Sequence, residues 1–133
     1  MTSVFLGGTC NGSQWRESMI PKLNIDYFNP VVENWDEEAR QREIEARENS
    51  TYCLYVLTPR GKGLYSIAEV VDDSNKRPEK TIFVPLSTDE DIVMDRTEWK
   101  HLKQVAQLVE RNGAMVFYSL QDAADYINTA HQE

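Results

Sequence analysis

Apolar residues along the chain fall into short continuous runs that alternate with longer segments in which they recur every three or four positions. A short apolar run is typical of a buried strand, whereas the longer spacing is typical of an amphipathic helix. The strands are predicted at residues 3–8, 25–30, 51–59, 80–86 and 114–118. The helices are predicted at residues 13–23, 36–50, 64–75, 96–113 and 119–128.

This alternation of strands and helices predicts a parallel sheet with helices on both faces. For a chain of 133 residues, we expect one flavodoxin-like, doubly wound five-stranded α/β domain that spans residues 1–133. The acidic segment after the fourth strand, "STDEDIVMD", is predicted to be a loop. In such sheets a ligand binds outside the carboxyl ends of the strands, where the strand order reverses.

Composition and charge narrow the class of protein. Hydrophobic residues make up 41% and charged residues 27% of the chain, as in ordinary globular proteins, and no apolar run is long enough for a membrane span. We therefore expect a cytoplasmic protein without membrane contact. The net charge of −8 argues against binding to a nucleic acid duplex, because phosphate contacts require clustered Lys and Arg. Cys10 and Cys53 are interpreted as small buried thiols.

Two loops at the expected ligand edge follow the first and second strands. The first, "GGTCNGS", contains Gly7, Gly8 and Thr9, and its glycines allow backbone N–H groups to approach a ligand closely. The same glycines would equally suit a simple tight turn. The second loop carries Asn29 and Trp35, which could contact a base or a sugar. A tryptophan in a long loop can also serve only to cover the core.

The third loop leads into a helix that carries a glutamate among apolar residues, in "TPRGKGLYSIAEVVDD". Gly63 precedes this helix, and Tyr65, Ser66 and Glu69 lie near its start, with Ser66 and Glu69 on one face. The helix dipole favours an anionic side chain at this end, so Glu69 could be a nucleophile or an acid–base group. The alternatives are that Glu69 caps the helix with Ser66 or faces solvent.

Three segments resemble the nucleoside 2-deoxyribosyltransferase-like family, most closely its small bacterial and phage branch: "VFLGGTCNGSQWRESMIPKL", "DYFNPVVENW" and "YVLTPRGKGLYSIAEVVDDSNKRPEKTIF". The resemblance implies cleavage of the N-glycosidic bond of a nucleoside or nucleotide, with transfer of the sugar to a free base or to water. It implies that Glu69 is the nucleophile and that Tyr65 and Ser66 orient it or contact the sugar. It also implies a homo-oligomer and no metal or organic cofactor.

The sequence departs from the family pattern at one acidic position. Family members carry an aspartate a few residues before the nucleophile, where this chain has Gly63 and no carboxylate. The proton donor to the leaving base is therefore unassigned at that position. A second acidic residue of the family lies on the preceding helix and matches Glu43, with Glu37, Glu38 and Glu45 as alternatives.

Two other functions fit parts of this pattern. A TIR-like NAD glycohydrolase would use a similar sheet and a glutamate within a Ser/Cys-x-x-Glu pattern, which "SIAE" matches loosely. Against it, we identify no arginine after the first strand that would hold a pyrophosphate. The third possibility is a non-catalytic nucleotide-binding module, because a fold does not determine a function and the preceding aspartate is absent.

Overall fold

The computed structural model describes residues 2–10 and 12–130, so Asn11 of the first loop lies outside the described residues. The strands are β1 (Ser3–Gly8), β2 (Asp26–Phe28), β3 (Tyr52–Leu57), β4 (Thr81–Pro85), β5 (Thr88–Asp89), β6 (Ile92–Val93) and β7 (Met115–Val116). The helices are α1 (Trp15–Met19), α2 (Glu37–Asn49), α3 (Leu64–Lys76), α4 (Arg96–Arg111) and α5 (Leu120–Ala130). Short 3₁₀ helices cover Ile20–Lys22 and Pro78–Lys80.

Five parallel strands form the main sheet in the order β2-β1-β3-β4-β7. Every neighbouring pair is parallel, and the order is that of a flavodoxin-like, doubly wound α/β fold. The predicted fold class is thereby confirmed. The chain moves from β1 outward to β2 and then returns to β3 on the other side of β1. The reversal of strand order therefore falls between β1 and β3.

Side chains of the central strands alternate between two apolar layers, as the pleat of a strand requires. In β3, Leu54 and Val56 belong to the layer that contains α1 and α5, whereas Cys53 and Tyr55 belong to the layer that contains α3 and α4. Burial on both faces explains why β3 is a nearly continuous apolar run in the sequence. No helix within the described residues has both the length and the apolar character to cross a membrane.

Helix α2 is mostly polar. Asp36 caps its first turn, because an oxygen of its side chain accepts a hydrogen bond from the Ala39 N–H at 2.8 Å. Its buried residues are Ala39 and Arg47, and Ala46 packs against the apolar layer of α3 and α4. An arginine thus occupies a buried position where an amphipathic helix would normally carry an aliphatic residue.

Two sequence-based expectations are wrong. The acidic segment after β4 is not a plain loop, because β5 and β6 pair as an antiparallel hairpin. Its turn contains Glu90 at φ 57°, a conformation for which sequence patterns normally show Gly or Asn. Cys53 is buried as expected, but Cys10 is exposed, because it lies in the loop beyond the end of β1.

Candidate active site

A cavity of about 400 Å³ opens beside the carboxyl ends of β1 and β3, where the strand order reverses. Every residue proposed for the site except Asn29 lines it: Gly7, Gly8, Thr9, Trp35, Glu43, Gly63, Tyr65, Ser66 and Glu69. The Asn29 side chain instead accepts a hydrogen bond from the Val31 N–H at 3.1 Å. Asn29 therefore shapes the turn after β2 and does not line the cavity.

Gly7 and Gly8 form the floor of the cavity because β1 lies too close to β3 for side chains there. A Cβ atom on Gly8 would lie 2.0 Å from the backbone oxygen of Val56, and Gly8 has φ +124°. A Cβ atom on Gly7 would lie 2.7 Å from the ring of Tyr55. The two glycines thus do more than form a tight turn: they bring the backbone of β1 against β3 at the edge where the ligand is expected.

Arg16 supports this floor from below. Its guanidinium is buried and donates hydrogen bonds to the backbone oxygens of Leu6, Gly8 and Thr9 at 3.0, 3.3 and 2.8 Å. An arginine thus does follow the first strand and lines the cavity, but its guanidinium is already bound to backbone oxygens. No sequence pattern indicates this role of Arg16, because its hydrogen-bond partners are backbone carbonyls and not charged side chains.

Glu69 is the buried carboxylate of the cavity, with 6% of its surface exposed. Its Oε2 has no hydrogen-bond partner among the described residues and lies 3.7 Å from Nη1 of Arg47. Burial raises the pKa of Glu69 to about 8, a hydrogen bond with Glu43 adds to the rise, and Arg47 opposes it. Glu69 neither faces solvent nor caps α3, whose N-cap is Gly63.

Glu43 is the second carboxylate of the cavity. It projects from α2, and its Oε2 accepts a hydrogen bond from Nε1 of Trp35 at 3.3 Å. The three alternative acidic residues of α2 lie on its exposed surface: Glu37, Glu38 and Glu45. Trp35 is 56% exposed, so its indole positions Glu43 while much of the ring remains open to a ligand at the mouth of the cavity.

Gly63 occupies the position at which family members carry an aspartate. It has φ +63°, and a Cβ atom there would lie 2.9 Å from Cδ2 of Leu57. The backbone is therefore in the left-handed region, which favours glycine. A carboxylate at this position would require both that conformation and movement of Leu57. Glu43 is the carboxylate that lies beside Glu69 instead.

These observations define the class: a doubly wound α/β protein with a pair of carboxylates in a cavity at the reversal of strand order. Within the described part of the chain, no group of three or more His, Cys, Asp or Glu is arranged to hold a metal ion.

Comparison with protein families is consistent with this class. Residues 1–88 match the family model described as nucleoside 2-deoxyribosyltransferase like, and the protein belongs to this family. The matched region contains β1 to β4 and every lining residue of the cavity. A comparison with curated proteins found no match.

Proposed function

We propose that this protein is an enzyme that cleaves the N-glycosidic bond of a nucleoside or deoxynucleoside, with Glu69 as the nucleophile. One observation carries the proposal: the Glu69 carboxylate is buried, its Oε2 has no hydrogen-bond partner among the described residues, and it lines the cavity beside Glu43. Membership of the nucleoside 2-deoxyribosyltransferase-like family supports the reaction class.

The reaction comprises two displacements at the anomeric carbon C1′. The ionised Glu69 forms a bond to C1′ while the C1′–N bond breaks, and the electron pair of that bond leaves with the base. Glu43 donates a proton to the leaving base. A nitrogen of a second base, or water, then attacks C1′ and releases the Glu69 carboxylate. The proton lost by the attacking group returns to Glu43.

The pairing of Glu43 with Glu69 supports these two roles. Burial raises the pKa of Glu69 to about 8, so at neutral pH the hydrogen-bonded pair retains a proton. Glu69 reacts in its ionised form, and the proton that the pair retains is the one delivered to the leaving base. One pair of side chains then supplies both the nucleophile and the acid, which compensates for the carboxylate that is absent at Gly63.

The charges around the cavity favour an unphosphorylated substrate. Among the described lining residues the one cation is Arg16, and its guanidinium already binds backbone oxygens. Nearby, Nε of Arg60 lies 3.3 Å from a carboxylate oxygen of Asp89. Among the described lining residues, a phosphate would thus meet the Glu43–Glu69 pair and no cation that lacks a protein partner. This argues for a nucleoside over a nucleotide and against the TIR-like NAD glycohydrolase.

We also propose that the protein acts as a homo-oligomer. Four exposed apolar side chains surround the mouth of the cavity: Val31, Val32, Trp35 and Tyr65. A second copy of the chain that covers them would exclude water from the reaction. Light scattering on the purified protein tests this, and a monomer at assay concentration would contradict it.

A base-exchange assay tests the proposed function. The protein is mixed with each deoxynucleoside or ribonucleoside and a different free base, with NAD and deoxynucleoside 5′-phosphates in parallel tubes. Glu69→Gln is the inactive variant, and Glu45→Gln makes the same change on the exposed surface of α2. We expect formation of new nucleoside, or release of free base without exchange. Glu69→Gln should abolish this activity, and Glu45→Gln should retain it. Release of nicotinamide would favour the NAD reaction instead. Nucleoside binding without turnover, unchanged in Glu69→Gln, would favour the non-catalytic nucleotide-binding module.

A further inference from the structure

A buried cluster of charged side chains lies behind the cavity, between α2 and α3. Its centre is Arg47 of α2, which is 8% exposed, and Asp73 of α3, which is fully buried. Nε and Nη2 of Arg47 donate to the two carboxylate oxygens of Asp73 at 3.3 and 2.8 Å. This two-point contact fixes the plane of the guanidinium, because both hydrogen bonds run in parallel.

The remaining nitrogen of the guanidinium faces the proposed nucleophile. Nη1 of Arg47 lies 3.7 Å from Oε2 of Glu69, the oxygen without a hydrogen-bond partner among the described residues. Residues four apart share one face of a helix, and this relation holds for Glu43 and Arg47 on α2 and for Glu69 and Asp73 on α3. From α2, Arg47 thus contacts both Asp73 and Glu69, which lie one turn apart on the same face of α3.

Asp73 is itself held on two further sides. It accepts a short hydrogen bond from the hydroxyl of Tyr55 on β3 and another from Nε of Arg77 at 2.9 Å. Asp72, one residue earlier, accepts a hydrogen bond from Nη2 of Arg47 at 3.0 Å. The guanidinium is therefore fixed by contacts to α3, and Asp73 is in turn held by Tyr55 of β3.

Packing alone does not explain this cluster. A buried ion pair pays a large desolvation penalty, and apolar residues of similar volume often give equal or greater stability. The guanidinium lies directly behind the one buried carboxylate oxygen without a hydrogen-bond partner among the described residues. A fixed positive charge at that point would favour the ionised form of a carboxylate that burial otherwise disfavours.

We propose that Arg47, held by Asp73, is the positioning residue of the site: it orients the Glu69 carboxylate toward the cavity and keeps it able to ionise. The catalytic part of this inference rests on the proposed function, whereas the electrostatic part does not. Other groups that face Glu69 are Glu43 from α2, Asp73 from its own helix and Tyr55 from β3. Arg47 is the one group of this set that lowers the pKa of Glu69.

The first test measures the titration of Glu69 directly. The full chain is labelled with ¹³C at the glutamate carboxyls, and the Glu69 signal is assigned from its absence in Glu69→Gln. We expect Arg47→Met to raise the titration midpoint of Glu69 by about one pH unit or more, because it removes the opposing positive charge. The matched control is Arg42→Met, which removes the same charge at an exposed arginine of the same helix. An unchanged midpoint in folded Arg47→Met overturns the proposal.

The second test separates orientation from charge, and it remains decisive if Arg47→Met does not fold. Arg47→Lys keeps a positive charge but loses the two-point contact with Asp73. We expect kcat to fall about tenfold or more while KM changes less than about threefold, because substrate binding is retained and alignment of the nucleophile is lost. Circular dichroism verifies that the variant is folded. A folded Arg47→Lys protein with the kcat and pH profile of the parent overturns the orienting role.

The two proposals fail in distinguishable ways. If the parent protein turns over no nucleoside, the proposed function fails, while the carboxyl titration still tests whether Arg47 controls Glu69. If turnover depends on Glu69 but neither arginine variant changes kcat, the pH profile or the titration midpoint, the proposed function stands and the role of Arg47 is refuted.

Discussion

Burial of the Glu69 carboxylate should lower the stability of the protein at alkaline pH, and Glu69→Gln should reverse this effect. The pKa of Glu69 is raised from 4.5 to about 8 by burial and by Glu43. Between these two values the folded protein binds a proton that the unfolded chain has released. The free energy of unfolding must therefore fall as the pH rises through this window. Below it the carboxyl is protonated in both states, and above it the loss of stability is complete.

The raised pKa sets an upper limit for the effect. At about 1.4 kcal/mol per pH unit, a rise of this size corresponds to at most roughly 5 kcal/mol. The amide of Glu69→Gln can donate to Glu43 as the protonated carboxyl does, but it loses the attraction of the ionised carboxylate to Arg47. We therefore expect a net gain of about 1–3 kcal/mol at pH 9, or roughly 3–4 °C in Tm for each kcal/mol.

Thermal unfolding followed by circular dichroism at pH 5 and pH 9 measures this gain. Glu45→Gln is the control, because it also removes one negative charge from a chain of net charge −8 but does so at an exposed position. We expect Glu69→Gln to raise Tm relative to the parent at pH 9, and to do so more than Glu45→Gln, with little difference at pH 5. An equal effect of Glu69→Gln at both pH values would refute the reasoning.

Three further predictions address the floor, the loops and the mouth of the cavity. Gly8→Ala should prevent folding or lower Tm by more than about 10 °C, because its Cβ atom would lie 2.0 Å from the Val56 backbone oxygen; a Tm near that of the parent would contradict this. Partial burial opposes ionisation of Asp89, but the hydrogen bond from the Ser13 hydroxyl at 2.6 Å and the positive charge of Arg60 lower its pKa overall. Asp89→Asn should therefore reduce the free energy of unfolding by about 1–3 kcal/mol at pH 7, and by less as the pH falls below about 4; denaturant unfolding tests this, and a pH-independent loss counts against it. Trp35→Phe keeps an aromatic ring but removes the donor to Glu43 at 3.3 Å; steady-state kinetics should show a several-fold lower kcat with similar KM, and unchanged kcat would exclude this positioning role.

The main sheet was predictable because its central strands are buried on both faces and read as continuous apolar runs. The β5–β6 hairpin was not, because each of its strands has two residues and its turn is Glu90–Asp91. Those residues lack the Gly or Asn signal by which short hairpins are identified. The apolar pattern therefore specifies the layers of this fold, but it does not identify a short hairpin held by an acidic turn.

The location of Glu69 was predictable for a different reason. A residue near the start of the helix after a central strand must lie at the ligand edge of a parallel sheet, whatever its neighbours are. The contacts around it were not predictable. Arginines occur at three positions of α2, 40, 42 and 47, and no local pattern distinguishes Arg47 from the others. Its role depends on the register between α2 and α3, that is, on which residues of one helix lie beside which residues of the other. β3 separates the two helices in the sequence, and no sequence pattern shared by them specifies this register.

That register gives a physical reason for the polar character of α2. A helix that packs through an aliphatic stripe can shift or rotate slightly without much loss of stability, because apolar contacts are not directional. The contacts of Arg47 with Asp73 are directional, and a small displacement would leave two buried charges unpaired. Because Glu43 lies one turn before Arg47 on the same face, any register that pairs Arg47 with Asp73 also brings Glu43 to Glu69. Swapping Arg47 and Glu48 would keep the composition and charge of α2. It should separate Arg47 from Asp73 and Glu43 from Glu69, and we expect it both to raise the exposure of Glu69 and to abolish turnover.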